Sequence, residues 1–198
     1  MRDHGRIIFN GNNYSEEWVE EAKRRGLPML NSSLESYASY LKPENIKLFE
    51  KYHVFSKEEC HSRFEVLVEN YVKVVLIEAS VMLDMADKQI LPACIRYAGE
   101  LAHSLNEVKQ AGFFLASVED TLGKMTELID HIADSIRNLR DIHAHLSVMP
   151  ISFDTAQECK TSLEDAMRML RGYCDTAEGI VPKAEWPMPD YTELLHKM

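Results

Sequence analysis

The strongest constraint on this chain is a stripe of apolar residues in its second half. Leu115, Val118, Leu122, Met125, Ile129, Ile132, Ile136 and Leu139 follow one another at alternating intervals of three and four. Only an α-helix brings such positions to one face, so the spacing predicts a long helix whose stripe packs against other helices. Pro150 closes that helix beyond Leu146. The pattern returns in Ala156, Cys159, Leu163, Ala166, Leu170, Tyr173, Ala177 and Ile180, with Gly179 and Pro182 as its terminators. A third helical segment lies upstream. It opens at the capping box Ser56-Lys57-Glu58-Glu59 and carries Phe64, Leu67, Tyr71, Val74, Val81 and Met85 at helical spacing. Beyond Pro92 the signal resumes through Tyr97, Leu101, Leu105 and Val108 as far as Gly112. Pro92 lacks an N–H and crowds the carbonyl of Lys88, so it must kink or break the helix. If it only kinks, residues 56–111 form a rod of roughly 80 Å. Connections at Gly112 and around Pro150 are short, so consecutive helices should run antiparallel. The expected fold class is all-α, an antiparallel bundle of long helices with heptad-like packing.

The segment before the bundle reads differently. Ile7-Ile8-Phe9 is a short apolar extended or strand-like piece with turn residues behind it, and it looks like the end of something upstream. A helix starts at Ser15, with Glu16 and Glu17 in its first turn, Lys23 to Arg25 in its last and Gly26 as its stop. Ser32 and Glu35 form the capping box of a second short helix, and Pro43 suits the first position of a third, running to about Tyr52. The closing Trp186-Pro-Met-Pro-Asp-Tyr191 is held extended by its prolines, with Trp186 and Tyr191 available to pin the tail against a bundle face or a neighbouring subunit and a short helix from Thr192 to His196 after it. The expected organisation is residues 1–30 as the end of, or linker from, an upstream region; 31–55 as short connecting helices; 56–181 as the bundle; and 182–198 as a proline-containing tail.

Charge narrows the partners. Lys plus Arg is 22 and Asp plus Glu is 32, a formal charge of −10. Such a surface repels phosphate backbones, and no basic run exceeds Lys23-Arg24-Arg25, so no nucleic-acid partner is expected. The longest apolar stretch, from Val74 to Met85, is broken by Glu78 and Asp84, so no membrane span is expected and the chain reads as cytoplasmic. Cys60, Cys94, Cys159 and Cys174 are too scattered for a zinc site or a disulfide framework and read as reduced, mostly buried thiols.

Candidate chemistry is sparse. Glu58-x-x-His61 and Glu100-x-x-His103 have the spacing that puts two ligands on one helix face, as in helical di-iron proteins. Both lie on one segment, about 60 Å apart if it is straight, so they cannot share a metal pair. Asp141 and His145 are four residues apart and can pair, whereas His143 and His145 point in opposite directions. His103-Ser-Leu-Asn-Glu lacks the Lys and Gly that follow a phosphotransfer histidine. Glu78 lies inside an apolar stripe, so it needs a partner from another helix if it is buried. No Gly-rich phosphate loop, Gly-x-Ser-x-Gly or His-Glu-x-x-His occurs. The residues therefore nominate no catalytic, cofactor-binding or metal-ligating side chain. They point to an assembly or partner-binding module.

Several blocks carry a resemblance. Arg6-Ile-Ile-Phe-Asn-Gly-Asn-Asn-Tyr-Ser-Glu-Glu-Trp18 and Ala22-Lys-Arg-Arg-Gly-Leu-Pro28 look like the end of the catalytic region of type III glutamine synthetases. The likeness continues in Leu48-Phe-Glu-Lys-Tyr52, Ile77-Glu-Ala79, Met82, Met85-Ala86, Gln89-Ile-Leu-Pro-Ala93, Leu139-Arg-Asp141 and Trp186-Pro-Met-Pro-Asp-Tyr191 with Glu193-Leu-Leu195. The resemblance implies the C-terminal helical domain of a much longer ATP-dependent glutamate–ammonia ligase of nitrogen assimilation. In that family the enzyme is a double-ring homo-oligomer, and ATP, divalent metal (Mg or Mn) and glutamate are bound upstream of the stretch seen here. The implied partners are the upstream catalytic domain and other copies of the chain. The implied role is subunit packing or regulation, with no catalysis by this part alone. A free-standing helical adaptor is the alternative.

Overall fold

The computed structural model describes residues 8–196. All regular structure among them is helical, with no strand. No helix among them is long and apolar enough to cross a membrane. Two compact units divide at Phe64 and Glu65.

The first unit holds α1 (Glu16–Arg24), α2 (Ser33–Ala38), α3 (Pro43–Lys51) and the start of α4 (Lys57–Met85). Its helix ends follow local rules. Gly26 takes φ +70°, and behind it the Leu27 N–H bonds the Ala22 carbonyl at 3.0 Å while the Gly26 N–H bonds that of Lys23 at 3.0 Å, a Schellman closure. Ser32 accepts from the Glu35 N–H, and the Glu35 carboxylate accepts from the Asn31 N–H. Ser56 and Glu59 satisfy each other's backbone N–H groups at 2.7 and 3.2 Å, so the expected box is complete. The C-cap of α3 repeats the Schellman pattern around His53, a non-glycine residue at φ 53°. Of the extended piece Ile7-Ile8-Phe9, Ile7 lies outside the described residues. Ile8 and Phe9 have no regular secondary structure, and the Phe9 ring packs 4.8 Å from Trp18.

The second unit is the expected bundle. α4 does not stop at Pro92. It passes through a π-helical turn at Ala86–Ile90 into α5 (Leu91–Gln110), giving one continuous helix of 54 residues. In that turn the Leu91 N–H reaches back to the Ala86 carbonyl, five residues away. The widened turn lies immediately ahead of the proline ring, where an ordinary α turn would press the ring on a carbonyl. Gly112, at φ +83°, closes α5 with a Schellman motif. α6 (Ala116–Ser147) then runs back along it: Lys109 meets Glu119 at 3.3 Å near the turn, and Arg140 meets Asp87 at 2.8 Å far from it. α7 (Phe153–Glu158) opens under a Ser152 cap and passes through a second π turn, Cys159–Leu163, into α8 (Glu164–Glu178). α8 returns along α6, with the His131 and Tyr173 rings stacked at 4.9 Å. A short α9 (Tyr191–His196) ends the described chain.

The core is built by the two downstream stripes. Met125, Ile132, Ile136, Leu139 and Leu146 of α6 face Cys159, Leu163, Leu170 and Ala177, all buried. The α6 stripe fades toward its start, where Leu115 is 39 % exposed. In α4 the buried register differs from the expected one. Val68, Val72, Val75, Ala79, Leu83 and Ala86 face inward, while Val74, Val81 and Met85 are exposed. Apolar residues cover two faces of this helix, and packing against the rest of the bundle buries only one of them. All four cysteines are buried free thiols, as expected. Burial pushes Cys159 and Cys174 up to about 11.

Candidate functional site

The residues that sequence spacing singled out are not brought together. Glu58, His61, Glu100 and His103 are exposed; His61 Nδ1 stays 2.9 Å from the Lys57 carbonyl of its own helix, and His103 lies 3.3 Å from Glu107. Among the described residues no group of three or more His, Cys, Asp or Glu side chains is arranged to hold a metal ion. Asp141 does not pair with His145. His145 Nε2 instead faces Glu158 of α7 at 3.7 Å, and His143 Nε2 sits 3.1 Å from the Leu76 carbonyl, joining α6 to α4. Glu78 is exposed, so it needs no buried partner.

The structure offers a different site, a trough of about 770 Å³ between α4, α8 and the C-terminal tail. Its α4 wall is the outward apolar face, where Ile77 is 63 % and Val81 51 % exposed. Its floor includes Ala86, Leu170 and Cys174, all buried. The third wall exists because Pro182, Pro187 and Pro189 keep the chain out of regular helix between α8 and α9. The chain turns at Pro182, whose carbonyl accepts from the Glu185 and Trp186 N–H groups at 2.9 and 3.1 Å, and this brings Trp186 to the trough. Trp186 is only 8 % exposed, and its indole N–H has no hydrogen-bond partner among the described residues. Tyr191 is 83 % exposed, so it is Trp186 that pins the tail against the bundle face. Lys183 fixes the far side by donating to the Met188 carbonyl at 2.9 Å and to Glu193 at 2.7 Å. Asp190 and Glu193 cap α9 reciprocally at 2.8 and 3.1 Å.

Methionines Met82, Met85, Met167 and Met188 line this trough, and Glu78, Asp175, Glu178 and Asp190 rim it, with Arg171 as the one cation of the lining among the described residues. Arg171 is held by Asp175 at 2.6 Å, and Lys183 approaches Asp190 at 3.8 Å. Glu78 makes no ion pair among the described residues, and Glu178 stands near Arg171 and Lys183 without closing a bridge. The trough is therefore apolar inside and acidic at its edge. A smaller cleft of about 430 Å³ with a charged edge lies at the first π turn, between Ser80 and Arg140, with Asp84 paired to Lys88 and Asp87 to Arg140. Sequence reading missed the trough because residues 77–90, 167–178 and 186–194 supply it together. The available signals were the high methionine count, 10 in 198 residues, and the second apolar face of α4.

Comparison with known proteins places the chain. The model of the glutamine synthetase C-terminal domain family matches residues 1–109. A glutamine synthetase of Butyrivibrio fibrisolvens is 31 % identical over 197 residues, covering 98 % of this chain and 28 % of that relative. The type-3 glutamine synthetase of Dictyostelium discoideum is 32 % identical over 205 residues, covering 97 % of this chain and 27 % of its own length. A glutamine synthetase of Bacteroides fragilis is 25 % identical, again over 27 % of its length. The chain thus spans little more than a quarter of the length of the curated relatives it matches.

Proposed function

Because the chain belongs to the glutamine synthetase C-terminal domain family, we propose that it is the helical C-terminal part of a type III enzyme. In this reading it packs against the upstream catalytic region and against other copies, and it carries out no catalysis by itself. Residues 1–30 lead out of the catalytic region, 31–55 connect, 56–181 form the bundle and 182–198 the tail. ATP, divalent metal and glutamate belong to the upstream region, and the assembled enzyme works in cytoplasmic nitrogen assimilation.

One observation carries the packing role. At the turn between α5 and α6 the chain presents Phe113, 71 % exposed, beside Phe114 and Leu115, both also exposed. Three consecutive large apolar side chains on a tip mark a contact surface, since a soluble tip would carry turn residues instead. The test is made in the full-length enzyme, with Phe113→Ser and Phe114→Ser together. Sedimentation should show smaller assemblies while helix content is kept. An unchanged assembly would refute the packing role. The 198-residue chain alone should form no glutamine from glutamate, ammonia and ATP, and turnover would refute its inertness. A native polypeptide several times 22.8 kDa in the source cells is expected. A mass near 22.8 kDa would replace this reading with the free-standing adaptor.

A further inference from the structure

We propose that the trough between α4, α8 and the Trp186 tail binds an amphipathic helix from another protein, with lysines or arginines flanking its apolar face. The inference does not depend on the packing role, which concerns the α5–α6 tip and is tested on assembly of the full-length enzyme.

Three features select this occupant. The first is the lining. Met82, Met85, Met167 and Met188 present flexible, polarisable thioethers, which adapt to an inserted side chain without a fixed jigsaw fit. The second is the wall: Ile77, Val81 and Met85 stand one helical turn apart on the outer face of α4 and are exposed. They form a ridge about 12 Å long, matching two turns of a docked helix that anchors through its i, i+3, i+4 and i+7 positions. The third is charge. Among the described residues four carboxylates border the apolar strip, with Arg171 on Asp175 and Lys183 beside Asp190, so the excess negative charge that an incoming apolar segment meets comes chiefly from Glu78 and Glu178. Cationic flanks complement that rim and acidic flanks are repelled.

The same rim argues against the other occupants. Pairing the trough with itself about a two-fold axis would set Glu78, Asp175 and Glu178 of one copy near the same residues of the other, and like charges at close range disfavour it. An anionic membrane surface meets the same repulsion. The trough offers no sheet edge, so an extended strand gains no ladder there.

The experiment uses the 198-residue chain carrying Trp18→Phe, which leaves Trp186 as its single tryptophan. It is titrated with a Leu/Lys amphipathic peptide of about 14 residues and with its Leu/Glu counterpart of the same apolar pattern. Trp186 emission reports occupancy of the trough, and calorimetry gives Kd. The Leu/Lys peptide should bind and shift the emission, and the Leu/Glu peptide should bind at least about tenfold more weakly. Glu78→Lys with Glu178→Lys changes only exposed side chains. It should weaken the Leu/Lys peptide by about tenfold or more and improve the Leu/Glu peptide. Raised salt should narrow the difference between the peptides. Equal binding of the two peptides, binding of neither, or a Kd unmoved by the charge reversal would each overturn the proposal. Dimerisation of the chain that the Leu/Lys peptide fails to displace, but that Val81→Glu abolishes, would assign the trough to a second copy and overturn it as well.

Discussion

Leu139 and Leu115 belong to one heptad stripe and carry the same side chain, yet their environments differ. Leu139 is 0 % exposed in the middle of the bundle, whereas Leu115 is 39 % exposed at the N-cap of α6. Truncating Leu139 to Ala removes three carbons from the core, a loss of about 2.4 kcal/mol at ~0.8 kcal/mol for each buried carbon group. The cavity that remains adds about 1 kcal/mol, because the helices packed around it hold the site open. The expected total is about 3 to 4 kcal/mol. At Leu115 the same truncation loses only the buried part of the side chain and leaves a site open to water, so about 1 kcal/mol is expected. The assay is urea unfolding in the Trp18→Phe background, where Trp186 emission follows the second unit alone. With a slope of about 1.5 kcal/mol per molar urea, the midpoint should fall by about 2 M for Leu139→Ala and by less than about 1 M for Leu115→Ala. Equal shifts at the two positions would refute the reasoning, since periodicity alone and not burial would then set the energetics.

Two further outcomes follow from the helix ends and the thiols. His53 holds a left-handed conformation that costs a non-glycine residue about 1 kcal/mol, so His53→Gly should raise the stability of the first unit by a few tenths to about 1 kcal/mol in thermal unfolding read by Trp18 emission in a Trp186→Phe background. Burial holds the Cys159 and Cys174 thiols at about 11 in the folded chain, above their unfolded value near 9. The neutral form is favoured by folding, so this contribution is complete below pH ~9 and lost as pH rises from there to ~11. Urea midpoints measured across that window should fall, and Cys159→Ala with Cys174→Ala should flatten the fall.

Helix positions were readable wherever a local device set them. Ser56 with Glu59, Gly26, Pro43 and Gly112 mark their termini through bonds made within a few residues. The faces of α6 and α8 were equally readable, because each helix has one apolar stripe and no competing choice. α4 was not, because Val74, Ile77 and Val81 stand opposite Val72, Val75 and Ala79 and both sets satisfy helical periodicity. Only packing against the rest of the bundle decides between them. Pro92 signalled a distortion without fixing its form, and the second π turn carries neither proline nor glycine to mark it. His145 illustrates a further limit: Asp141 was its best partner within one helix, but tertiary packing supplied Glu158. The trough was hidden for the same reason, as its walls are far apart along the chain.

The two π turns also bear on how related sequences should be compared. A turn closed over five residues stores one residue more than an α turn, while the helix on either side stays where its packing holds it. A relative that lacks one residue within 86–90 or 159–163 can therefore keep every core position downstream by relaxing that turn to ordinary α-helix. Elsewhere in these helices the same deletion would swing all later side chains by about 100° away from their partners. Single-residue gaps within the family should thus gather at these two places, and heptad numbering carried from α4 straight through the first of them would assign the wrong face to residues such as Cys94 and Leu105.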